Sequence, residues 1–218
     1  MKLKTFIERM DSYDLDHDKP AIIADLRELA TNRTLLSEHL YNTIQRDGYS
    51  TKNSLYNAYA FVLYYTDAYS IRLGFWAPVS SQDERETFIY DLNHTHDFEI
   101  YAVHYSGDGY TTIKRKILTR LPLSAGVRPP LGEETIQKLA PGEVLHMEPF
   151  YEVHSQLPPQ CLSSSLSVVI HAPVLTEGAQ AWCFDEDYLP THPGIATGEI
   201  AFYEQTLSQL NGEWQPSK

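Results

Sequence analysis

The chain has 218 residues, 42% of them hydrophobic and 21% charged, with a formal net charge of −12. That length suits one well-buried domain with a helical appendage, and the composition is that of a folded globular protein. The negative charge argues against nucleic acid, whose phosphates are met by clustered Lys and Arg, and no apolar run approaches the roughly 20 residues that span a bilayer.

The first residues, MKLKTFIERMDSYDLD, carry acids where a signal peptide needs an apolar core. Cys161 and Cys183 are the only cysteines, so there is no disulfide framework to read. A reduced, cytoplasmic protein is expected. The one basic run, Lys114 to Lys116, reads as the solvated face of a strand.

Residues 1–55 have helical grammar. Leu3, Phe6, Ile7 and Met10 recur at helical spacing, and a second helix starts at Pro20 with Ile22, Ile23, Leu26 and Leu29 on its apolar face. A third carries Leu35, Leu36, His39, Leu40 and Ile44, with Gly48 as its C-terminal cap. This cluster is expected to cover one side of a β domain.

Residues 56–175 change to strand grammar. AYAFVLYYTD and YSIRLGFW are aromatic and β-branched and meet at a short polar break, which predicts a hairpin. FEIYAVHY and YTTIKRKIL flank SGDG, a turn signal between alternating runs, and ETIQKLA and EVLHMEP flank Pro141-Gly142. LSVVIHAPV is a last strand. Short strands at this spacing predict a mainly β barrel or sandwich. Residues 176–218 begin irregular and aromatic, then show helical periodicity in GEIAFYEQTLSQLNG. They are expected to form a lid or helix within the one structural domain.

The chemistry lies in the β stretch. His94 and His96 are one residue apart before a strand, and alternate side chains of an extended chain share a face, so two neutral imidazoles can reach one divalent ion. His-x-His, then Glu99, then Gly107 at a turn, resembles the first motif of the cupin family. Pro141-Gly142-Glu143, then Pro149 and His154, resembles the second, and the resemblance spans roughly Ser70 to Leu175. It implies a small jelly-roll (cupin) barrel with a metal held by His94, His96 and His154. The family's usual fourth ligand is a Glu four or five residues after the second His. Glu99 follows by three, so it is a ligand only if a bulge turns it back to the metal; otherwise the site has three histidines.

YSIRLGFW, HTHDF, EVHSQ and SLSVVIHAPVL also resemble, in order, elements of the cysteine dioxygenase type of thiol dioxygenase, which implies a three-histidine ferrous site. Two features depart from that pattern. Asp67 follows Tyr65-Thr66 where those enzymes have a basic carboxylate clamp, and Ser167, Val169 and His171 replace a Ser-x-His-x-Tyr relay. Cysteine is therefore not the expected substrate.

Of the remaining candidates, His104 shares strand parity with His96, His171 lies on the last strand, and Tyr105 neighbours His104; these three are the candidates for proton transfer. His146 is a substitute ligand, while His17, His39 and His192 read as surface or helix residues. Tyr64, Tyr65, Tyr69 and Tyr101 read mainly as packing.

The resulting expectation is a non-haem iron oxygenase using Fe(II), with Mn, Ni or Zn as alternative metals. Its partners would be a small-molecule substrate and O₂, without nucleic acid or membrane, and a homodimer is an open option. A redox-neutral isomerase or lyase is the second reading. A ligand sensor is the third, because HTHDFEI also resembles arabinose-type regulators; it ranks last because the acidic N-terminal segment lacks a basic recognition helix.

Overall fold

The computed structural model describes residues 1–47, 56–57, 60–171 and 180–194. Three helices come first: α1 (Leu3–Met10), α2 (Lys19–Ala30) and α3 (Leu35–Asp47). Pro20 occupies the first turn of α2, where its missing N–H costs nothing. Phe6, Met10, Ile22, Leu26 and Leu29 form the buried stripe predicted from the periodicity. Each such side chain is worth roughly 1.5–3 kcal/mol on burial. The predicted cap at Gly48 lies outside the described residues.

Twelve described strands follow, with a short helix α4 (Gln82–Thr87) between the third and fourth. They are β1 (Tyr56–Asn57), β2 (Ala60–Tyr65), β3 (Tyr69–Trp76), β4 (Asn93–His94), β5 (Phe98–Ser106) and β6 (Thr111–Lys116). Then come β7 (Thr135–Lys138), β8 (Val144–Met147), β9 (Glu152–Leu157), β10 (Ser163–His171), β11 (Trp182–Phe184) and β12 (Pro190–Pro193). They form two antiparallel sheets, ordered β1-β2-β3-β10-β5-β8 and β12-β11-β4-β9-β6-β7.

The pairing has a simple logic. β3 pairs with β10, β4 with β9, β5 with β8 and β6 with β7, as in one long hairpin whose arms are folded over together. Rolling that hairpin brings β10 against β5 and β9 against β6, which closes each sheet's order. This is the jelly-roll arrangement.

The predicted β2–β3 hairpin is present. The other two turns do something different. β5 and β6, which flank Ser106-Gly107-Asp108-Gly109, lie in opposite sheets, and so do β7 and β8 on either side of Pro141-Gly142. Both turns carry the chain across the sandwich. Gly109 shows why the first is tight: its φ is +77°, and a Cβ there would sit 2.1 Å from the Leu139 carbonyl oxygen.

The helices cover the outer face of the first sheet, where Tyr69, Ile71, Leu73, Tyr101, Val103, Leu166 and Val168 meet Phe6, Met10, Ile22, Leu26 and Leu29. Between the sheets lies a second apolar group of Ala102, Tyr110, Leu139, Leu145 and Met147, floored by Trp76 stacked on Tyr110 at 3.8 Å.

The tail differs from its irregular reading. β11 pairs with β4, and the Thr95 N–H donates to the Trp182 carbonyl at 2.9 Å, so this segment extends the second sheet. The predicted C-terminal helix lies outside the described residues. Among the described residues, no helix is long and apolar enough to cross a membrane.

Candidate metal centre

His94 closes β4, and antiparallel pairing puts it directly opposite His154 on β9, so the two imidazoles share the inner face. β4 ends there. Residues 95–97 carry the chain from the second sheet to the first, and His96 sits in that crossing. The three rings meet with centroids 4.9 Å apart for His94 and His96, 4.4 Å for His94 and His154, and 4.5 Å for His96 and His154. All three are buried, and their ligand nitrogens lie within 4.8 Å of one another.

Backbone carbonyls orient two of the rings. His94 Nδ1 donates to the Leu92 oxygen at 2.9 Å, and His154 Nδ1 donates to the Glu152 oxygen at 3.1 Å. Because a carbonyl can only accept, each Nε2 is left bearing a lone pair. His96 Nε2 lies 3.1 Å from His94 Nε2. Burial, first of all, holds the pKa of His94 down and those of His96 and His154 far down, with the neighbouring imidazoles adding to the shift for the latter two. The triad is neutral at pH 7, the state a cation requires.

The donor set fits a metal. Two nitrogens each about 2.1 Å from one ion lie about 3.0 Å apart at a right angle and at most about 4.2 Å apart; the observed 3.1 Å falls inside that range. Among the described residues, three buried side-chain atoms lack a hydrogen-bond partner: His96 Nδ1, His154 Nε2 and Thr112 Oγ1. Leaving a buried polar atom unpaired costs about 1–3 kcal/mol. An ion held by the triad would satisfy His154 Nε2.

Glu99 is not part of this centre, so of the two alternatives the sequence left open the geometry forms the three-histidine one. Adjacent strand residues face opposite ways, and Phe98 turns inward to stack on His96 at 4.2 Å. Glu99 therefore points outward, to the helices. There it accepts from Lys19 Nζ at 2.8 and 2.9 Å, His146 Nε2 at 2.7 Å and the Tyr101 hydroxyl at 2.7 Å. Its register opposite Ile170 is regular, and the β5–β10 irregularity falls at Ser164/Ser165, too far along to turn it back. His146 is engaged in the same outward cluster and stacks on Tyr101 at 4.5 Å.

The proton-transfer candidates separate. His104 Nε2 donates to the Gly107 carbonyl at 2.9 Å. It lies six residues along β5 from Phe98, about 20 Å in a strand. The Tyr105 hydroxyl faces the helices and donates to the Asn32 oxygen at 2.8 Å. Only His171 has a register partner that touches the triad, Phe98. It is paired with Phe98 across β5 and β10, its Nδ1 donates to the Asp67 oxygen at 3.0 Å, and its ring lies 5.3 Å from Tyr65.

Comparison with known proteins yields no matching family model and no matching curated protein. Among solved structures, one described as crystal structures of the DMSP lyases RdDddP and RnDddQII aligns at 14% identity and TM-score 0.30, covering 50% of this chain and 42% of that one. The DMSP lyase DddQ from Ruegeria pomeroyi DSS-3 aligns at 14% identity and TM-score 0.33, covering 59% of each chain. The hydroquinone 1,2-dioxygenase PnpCD, in complex with Cd²⁺ and 4-hydroxybenzonitrile, aligns at 14% and TM-score 0.33, covering 62% of this chain and 77% of that one. Likenesses of this size carry no argument, and what the chain's own strand order and side chains show is a jelly roll that brings three histidines together.

Three charged residues of the interior between the sheets escaped the sequence reading. Lys114 lies opposite His154 and faces inward, an exception within the run read as a solvated face, where Lys116 is exposed. Its Nζ donates to the His146 carbonyl at 2.7 Å and to Glu152 at 3.2 Å, and Glu152 is almost completely buried. Arg72, on β3, sets its guanidinium over the Phe98 ring at 5.7 Å. The available signal was a charge in the middle of an aromatic, branched strand, at the parity of Ser70 and Trp76 and not that of Ile71 and Leu73.

Proposed function

We propose that this chain is a metal-dependent enzyme acting on a small molecule, and that its chemistry is a non-haem iron oxygenase reaction using O₂. The observation that carries the reading is the donor set: three buried neutral imidazoles with no carboxylate among them. Such a set leaves two or three positions on a ferrous ion for substrate and O₂. When bound there, Fe(II) would supply the electrons that O₂ chemistry needs.

The chain's own groups hold and shield that site. The Leu92 and Glu152 carbonyls lock two ring orientations. Phe98 covers one face of His96, and the burial of all three rings excludes water. Two of the three sequence-level proton carriers, His104 and Tyr105, point elsewhere, which favours chemistry driven by the metal over chemistry driven by a side-chain base.

A redox-neutral lyase or isomerase is the second reading, and Glu152 and His171 support it. Glu152 is a buried carboxylate two residues before His154 on the same strand face, and His171 stands across from Phe98. Either would serve as the base.

The test is anaerobic reconstitution of metal-free protein with ferrous iron, then a screen of small molecules for substrate-dependent O₂ uptake. Uptake that requires iron supports the oxygenase. Turnover without O₂, supported equally by manganese or zinc, refutes it and establishes the redox-neutral reading.

A further inference from the structure

Among the described residues each sheet ends in two edge strands, and an edge strand offers unpaired N–H and C=O groups to any chain that reaches it. Three of the four edges are blunted. β12 begins and ends in proline, which donates nothing to a ladder. β1 is two residues long. On β8 the Val144 and His146 carbonyls are already occupied, by Gln137 Nε2 at 2.9 Å and Lys114 Nζ at 2.7 Å. β7 has no proline, and no described side chain bonds to its backbone. It stands last in its sheet with β6 as its one described neighbour.

The backbone shows where the free groups of β7 point. The Leu139 N–H donates to the Tyr110 carbonyl at 2.9 Å, in the same register as the β6–β7 ladder. Alternate residues of an antiparallel strand turn their N–H and C=O to the same neighbour. Thr135 and Gln137 therefore turn theirs to β6, and Ile136 turns both of its groups away from it. The Ile136 side chain is 67% exposed, and Glu134, Thr135 and Lys138 are exposed beside it.

This edge complements itself. Set antiparallel against a second copy about Ile136, it puts Ile136 opposite Ile136, Glu134 opposite Lys138 and Lys138 opposite Glu134. The three side chains share the outer face, because Gln137 between them reaches across the sandwich to Val144. Lys138 also meets Asp108 at 3.2 Å, but an ammonium has three donors and can serve both carboxylates. A lysine on an edge deters strands in general; the glutamate four residues before it removes that deterrent for this chain's own copy. Ile117 pairs with Leu131, one residue out of step with the β6–β7 ladder, so the flat edge is short and the contact weak.

We propose that β7 is a self-association edge, and that two copies of this chain pair antiparallel through residues 134–138 about a two-fold axis at Ile136. The interface is isologous, and it joins the second sheets of the two copies into one. It is independent of whether the triad holds a metal.

The test is sedimentation velocity of the full chain over concentrations reaching the high micromolar range, with circular dichroism melting of each variant. Wild type is expected to show a concentration-dependent monomer–dimer equilibrium. Ile136→Lys, at a site exposed enough to leave folding intact, puts two like charges on the axis and should give a monomer. Glu134→Lys and Lys138→Glu should each weaken the dimer by on the order of tenfold, since each turns two opposite-charge pairs into like-charge pairs. Mixing those two variants should restore it, because in the mixed pair every lysine faces a glutamate. The amide of residue 136 should exchange slowly in the wild-type dimer and fast in Ile136→Lys. A wild type that stays monomeric at every concentration, a dimer untouched by Ile136→Lys, or charge-reversed chains that do not associate on mixing would each overturn the proposal. A monomer whose residue 136 amide is nevertheless protected also overturns it and assigns the edge to another segment of the same chain.

Discussion

Glu99→Gln distinguishes two physical roles for one residue, because a metal ligand and a helix clamp fail in different ways. Burial alone would raise the Glu99 carboxyl, but the hydrogen bonds from His146, Lys19 and Tyr101 outweigh it and bring the pKa from 4.5 to about 2. At about 1.36 kcal/mol per pH unit, that difference bounds the stabilisation at about 3 kcal/mol. Lys19 is one-third exposed and screened by solvent, so about 2 kcal/mol is the expected loss at pH 7. In a chain of this size that is a fall of about 4–8 °C in Tm. The folded carboxyl ionises more readily than the unfolded one. Its contribution is therefore complete above the unfolded pKa and is lost as pH falls through the folded value. The difference between wild type and variant should shrink to less than half by about pH 3. Thermal unfolding at pH 7 and pH 3, with metal analysis of the same samples, measures both. Metal content should not change. Loss of metal on the scale of a triad deletion, or a Tm unchanged at pH 7, would refute the outward placement of Glu99 as the cause.

The remaining expectations are direct. His94→Ala, His96→Ala and His154→Ala should each remove bound metal, whereas His146→Ala should keep it, as judged by metal content per chain; the opposite pattern for His154 and His146 would displace the third ligand. Truncation after Thr176 removes the strand paired with β4 and the backbone bond from Thr95 to Trp182, so it should lower metal occupancy several-fold and expose Trp-bearing core surface. A truncated chain that retains full metal content would show that β11 is dispensable to the centre. Gly109→Ala should cost more than about 2 kcal/mol in denaturant unfolding, since its Cβ would meet the Leu139 carbonyl, while Gly126→Ala, at φ +74° but with open space around it, should cost only about 1 kcal/mol. Equal costs at the two glycines would mean that positive φ alone, and not the close approach, sets the penalty.

The helices were legible in the sequence because their information is local: the 3.6-residue period of Leu3, Phe6, Met10, then Ile22, Leu26 and Leu29, already states which stripe will be buried. Strand character was legible for the same reason, and so were the three histidines, whose residue types and order needed no coordinates to be noticed. Pairing was not. That SGDG and Pro141-Gly142 cross between sheets and do not close hairpins depends on β10 and β9 arriving from far along the chain to take the places beside β5 and β6. Parity already turned Glu99 away from the metal side unless a bulge intervened, but whether one did was a matter of register, and β5 is regular there. Arg72 and Lys114 became visible as interior charges only once register placed them opposite Ser167 and His154. The sequence by itself determined most of the helices and strands up to residue 175 and which side chains could hold a metal, since both follow from side-chain type and short-range period. Tertiary structure alone decided which side of the sheet each charge occupies, because a strand has two equivalent faces until a partner from elsewhere in the chain buries one of them.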